Sequence, residues 1–118
     1  MTPTPKSLEA MYIMLCQLKP ICRWNLPDTS KIKFIVTNDE EAYGTYTYDP
    51  ETELHEITIS RAKCAFMETV LKTLCHELVH MKIAGPQGMG ENWDKHNYKF
   101  KTYTKTIADE FGFDPLEL

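Results

Sequence analysis

The segment Cys75-His76-Glu77-Leu78-Val79-His80 sets two histidines four residues apart, with a glutamate directly after the first. On an α-helix, residues i and i+4 share a face with Cβ atoms roughly 5–6 Å apart. Two imidazole nitrogens from such positions can converge on one ion at about 2.0–2.1 Å. Glu77, one residue after the first ligand, can reach a water bound to that ion. The H-E-x-x-H spacing therefore draws two ligands and a base from a single turn. With this chain's own His and Glu frequencies, a chance match is an event on the order of 1%. The alternative is a pair of ordinary histidines on a polar helix face. An amphipathic pattern around the motif, a helix stop after it and three of the four histidines in this half favour the site.

A catalytic zinc takes three protein ligands and keeps one position for water or substrate. His96 is the expected third ligand, because it falls on the same face as an apolar and aromatic stripe that must point inward. Glu91 and Asp94 are nearby carboxylate alternatives, and the imidazole of His55, on a strand before the helix, is a less economical choice. One zinc ion is expected, with manganese or cobalt able to replace it in vitro. The ion would lower the pKa of a bound water from 15.7 to near 7, with Glu77 accepting the proton and later returning it to a leaving amine. That chemistry is peptide hydrolysis. A group to steady the developing oxyanion is often required, and Tyr46, Tyr48, Tyr98 and His55 are candidates that spacing does not separate.

The elements that must position these residues follow from periodicity. Thr4 caps and Pro5 opens a helix whose stripe is Leu8, Met11, Tyr12, Leu15 and Leu18, ended by Pro20. Ile32 to Val36 reads as a strand. Tyr43 to Tyr48 and Leu54 to Ser60 read as a hairpin around Asp49-Pro50-Glu51-Thr52, with His55, Ile57 and Ile59 on one face. A long helix is predicted from near Ala65, with Phe66, Val70, Leu71, Leu74, Leu78 and Met81 on its apolar side, stopped by Gly85-Pro86. Gln87 to Gly90 is a loop. A last helix is predicted to carry Trp93, His96, Phe100, Tyr103, Ile107 and Phe111, capped by Gly112. Strands and helices are segregated rather than alternating, which predicts an α+β fold in one domain spanning residues 1–118.

Composition bounds the function. A net charge of −4 argues against nonspecific nucleic-acid binding as the main activity, since that draws on many Lys/Arg–phosphate contacts. No apolar run approaches a membrane span of about 20 residues, and MTPTPKSLEA lacks the pattern of a secretory signal. The expectation is a cytoplasmic (or nuclear) protein. Cys16, Cys22, Cys64 and Cys75 form no C-x-x-C pair, so they read as buried or half-buried free thiols rather than a structural zinc site or a disulfide framework.

From the first helix to the last, the chain resembles the SprT-like (Spartan-type) zinc metalloprotease domains. The most specific pieces are H-E-L-V-H at His76 to His80 and H-x-x-x-F-K at His96 to Lys101, joined by Tyr43-Gly44-Thr45-Tyr46 and Ile57-Thr58-Ile59-Ser60. Asn97 stands where many relatives carry glycine. The resemblance implies a zincin-like fold, with a small sheet packed against an N-terminal helix, an H-E-x-x-H helix and a C-terminal helix. It implies His76, His80 and His96 as zinc ligands, Glu77 as general base and a protein or peptide substrate, with action on DNA-associated proteins.

Lys95, Lys99, Lys101 and Lys105 are spaced to form basic ridges on the last helix. They are either a solvated face or a weak DNA contact. The leading expectation is thus a zinc metallopeptidase whose hairpin edge receives an extended peptide. The alternative is a zincin-fold module that sequesters a protein or nucleic acid without turnover.

Overall fold

The computed structural model describes residues 2–118, an α+β arrangement of three helices and a three-stranded mixed sheet. In chain order the elements are α1 (Pro5–Leu15), β1 (Ile32–Thr37), β2 (Gly44–Asp49), β3 (Leu54–Ser60), α2 (Met67–Ala84) and α3 (Tyr98–Phe111). Short 3-10 turns lie at Ile21–Arg23, Thr29–Lys31 and Pro115–Glu117. Among the described residues, no helix is long and apolar enough to cross a membrane.

Thr4 and Ser7 open α1 with a reciprocal capping box, each side chain accepting the other's backbone N–H at 2.9–3.0 Å. Leu8, Tyr12 and Leu15 are buried as the spacing predicts. The helix ends at Leu15, however, short of Pro20. Gln17 and Leu18 instead donate to the carbonyls of Met14 and Leu15, a tighter turn that unwinds the last part of the stripe. Leu18 is therefore exposed rather than in the core.

The sheet order is β1-β3-β2, with β1 parallel and β2 antiparallel to the central β3. Asp49 closes the hairpin, its carboxylate accepting from Glu51 N at 2.9 Å. The register places three rows on one face: Val36, Ile59 and Gly44; Phe34, Ile57 and Tyr46; Ile32, His55 and Tyr48. Lys33, Glu56 and Thr47 belong to the opposite, polar face. The first face meets the helices, and Ile57 and Ile59 are fully buried there.

α2 packs across β2 and β3, α3 packs on α2, and α1 packs beside β1. Val70, Leu74, Leu78 and Met81 form the buried stripe of α2, each such side chain contributing about 1.5–3 kcal/mol on burial. At the start of α2, Phe66 is 74% exposed rather than part of that stripe. It is the N-cap, with extended backbone, so its side chain leaves the helix face. Gly44 lets strand and helix approach. A Cβ there would lie 2.7 Å from the Thr58 carbonyl and 2.9 Å from the Thr73 methyl.

The last helix also begins later than its apolar pattern suggests. Asn97 is its N-cap, accepting from Phe100 N at 3.1 Å, a role that asparagine fills well. Trp93, Lys95 and His96 therefore precede α3, on the connection from α2. Gly112 ends α3 in the left-handed conformation.

Candidate metal centre

His76 and His80 lie one turn apart on α2, and the α2–α3 connection brings His96 to them. One ring nitrogen from each of the three lies within 4.8 Å of the other two. The Nε2 of His80 is 3.3 Å from that of His76 and 3.2 Å from that of His96. Two nitrogens bound to one tetrahedral zinc at about 2.0–2.1 Å would sit about 3.3 Å apart. The donor set and its spacing fit such an ion.

Proton placement strengthens that fit. His80 Nδ1 is 2.7 Å from the Trp93 carbonyl, and His76 Nδ1 is 3.2 Å from the Leu118 carbonyl. A carbonyl oxygen can only accept, so both Nδ1 atoms carry hydrogen. In the neutral rings both Nε2 atoms are then bare lone pairs, facing each other at 3.3 Å. Those two nitrogens cannot hydrogen-bond each other, and a shared cation would satisfy both. Burial holds both rings in that neutral form. It pushes His76 down to about 4, helped by the neighbouring His80 charge, and it lowers His80 against the opposing Trp93 carbonyl. Carbonyls that fix the tautomer in this way are the usual support of a metal-ligating histidine.

Phe100 supports the cluster from below. Its ring centre lies 4.5 Å from that of His96, 4.6 Å from His80 and 4.9 Å from His76, and the side chain is almost fully buried. Glu77 is 3% exposed, and burial alone raises its carboxyl to about 8. Together with His76 it lines a cleft of about 640 Å³, walled by Tyr43 and Gly44 on the β2 side and by Leu116 to Leu118 on the other. Glu117 pairs with Lys72 at that wall. β2 is an edge strand, so one side of its backbone is unpaired within the sheet.

The remaining candidates separate cleanly. Glu91 and Asp94 are exposed and outside the converging set, although the Asp94 charge favours protonation of His80. His55 is not a fourth ligand: it is buried, with Nδ1 2.7 Å from the Tyr46 hydroxyl and Nε2 3.0 Å from the Pro86 carbonyl. Tyr46 is buried against it, Tyr48 packs edge-on to its ring, and Tyr98 is 86% exposed at the start of α3. Lys95, Lys99, Lys101 and Lys105 are all exposed, and Lys105 pairs with Asp109 at 3.0 Å. All four cysteines are free. Cys64 and Cys75 are buried and Cys16 half-buried, whereas Cys22 is exposed, contrary to the expectation for it.

Sequence reasoning passed over the carbonyls of Trp93 and Leu118 and the ring of Phe100 as supports of the histidines. Backbone carbonyls carry no residue signature, and Phe100 reads as an apolar position within the H-x-x-x-F-K segment without a stated role against the histidine rings. No family model, curated protein or solved structure matches the chain.

Proposed function

We propose that the chain is a zinc-dependent endopeptidase of the SprT-like, zincin-fold kind, with His76, His80 and His96 as ligands and Glu77 as general base. The observation that carries this reading is the pair of Nε2 lone pairs facing each other beside a third imidazole, with a buried carboxylate on the adjoining cleft. When bound, zinc supplies a polarised carbonyl and a water acidified toward neutral pH. Glu77 supplies the proton traffic. Its burial places its titration close to neutrality in the metal-free chain, where a carboxyl group can both take a proton from water and deliver it to a leaving amine. The β2 edge beside the cleft offers backbone hydrogen bonds to an extended peptide, which favours a protein substrate over a small amide. The exposed lysines around α3 are compatible with substrates that are themselves bound to DNA.

Glu77→Gln should keep the ion and lose about 10²–10⁴-fold in hydrolysis of an unfolded protein substrate. His96→Ala should lose the ion itself. A Glu77→Gln variant that cleaves like the parent removes Glu77 as the base. Stoichiometric, metal-dependent capture of the substrate without turnover would replace the peptidase with a binding module.

A further inference from the structure

The hairpin carries a buried polar pair that the proposed chemistry does not use. His55 lies on the apolar face of the sheet, and the Pro86 carbonyl fixes its tautomer. Nε2 must donate to that oxygen at 3.0 Å, so Nδ1 is left to accept from the Tyr46 hydroxyl at 2.7 Å. The hydroxyl proton of Tyr46 is thereby committed to His55. The chain of bonds runs in one direction, from Tyr46 through His55 to the α2–α3 connection.

The same hairpin grips that connection at two more points. Gly88 has φ +65 and sits against the Tyr48 ring so closely that a Cβ would overlap it. The Tyr46 ring meets Trp93 edge-on at 5.4 Å. Trp93 in turn supplies the carbonyl that orients His80, and His96 follows three residues later. Between these grips, Gly90 N donates to the Ala84 carbonyl at 2.7 Å, folding the connection back on α2.

We infer that Tyr46 and His55 are positioning residues, a buried tether from the hairpin to the Pro86 carbonyl that holds Trp93 and His96 where three imidazoles can share one ion. Their effect on metal rests on the proposed zinc site, while their effect on the connection does not. A purely structural pair would lower the stability of metal-free and metal-loaded protein alike and leave the zinc dissociation constant unchanged. A tether changes that constant, by less than the 10–100-fold that partners bonded directly to a metal ligand contribute, because it acts through Trp93.

The test measures zinc affinity by chelator competition and amide exchange of Gly88 and Gly90 in the metal-free chain, on Tyr46→Phe, His55→Leu and His55→Gln. Glutamine offers one acceptor and one donor at nearly the separation of the two imidazole nitrogens, so it is the conservative replacement. Tyr46→Phe and His55→Leu should each weaken zinc about 3–10-fold and speed exchange of both amides, with His55→Gln restoring both toward the parent. Tyr46→Phe keeps the ring on Trp93, so it serves if His55→Leu does not fold. Parent-like affinity and exchange in Tyr46→Phe overturn the inference even when His96→Ala abolishes zinc uptake. If the parent takes up no zinc, the metal site fails, and unchanged exchange then refutes the tether separately.

Discussion

His55 and His80 are both buried, and each donates one ring N–H to a backbone carbonyl, Pro86 in one case and Trp93 in the other. They differ in what the second nitrogen faces. For His55 it is a tyrosine hydroxyl, which can donate, so the ring is satisfied within the protein. For His80 it is two further imidazoles, one of them with its own Nε2 held bare. Residue type is thus a poor guide to role. The donor and acceptor inventory around both nitrogens separates a fixed strut from a ligand in waiting.

The two histidines should part most clearly on substitution. His80→Ala should abolish zinc uptake measured by metal analysis after gel filtration, whereas His55→Gln should leave one ion per chain at saturating zinc. Equal metal content in the two variants would erase the distinction.

A smaller effect comes from Glu77, which is buried, whereas Glu56 beside His55 is half-buried and Glu53 is exposed. A carboxyl whose folded pKa is raised contributes stability that is complete below its ordinary value near 4.5. That contribution is lost as pH climbs to about 8. In metal-free protein, Glu77→Gln should therefore be stabilised relative to the parent by an amount that grows from pH 4.5 to 8, on the order of a few kcal/mol. Denaturant unfolding at several pH values measures it. A constant difference across that window would show that the carboxylate is not held in a dry site. His76 has the opposite sign: its contribution is whole above pH 6.5 and is lost as pH falls toward about 4.

Much of this was legible in the residues, for definable reasons. The His76–Glu77–His80 spacing has meaning only on a helix, and the apolar stripe of Val70, Leu74, Leu78 and Met81 supplies that helix. Asp49 and the alternation of His55, Ile57 and Ile59 foretold a hairpin with one buried face, and the structure has it. Boundaries were less legible because local bonds set them. A tight turn after Leu15 exposes Leu18, and the Asn97 cap takes Trp93 and His96 off the last helix. The Tyr46–His55–Pro86 tether was out of reach, since it joins positions 9 and 31 residues apart through a carbonyl that any residue could provide.

Whether three imidazoles share one cation is read by X-ray absorption at the zinc edge on protein loaded with one equivalent. Three nitrogen neighbours with imidazole outer-shell scattering at about 2.0–2.1 Å, lost altogether in His96→Ala, are the expected result. A six-oxygen shell, or a spectrum unchanged by His96→Ala, would contradict it.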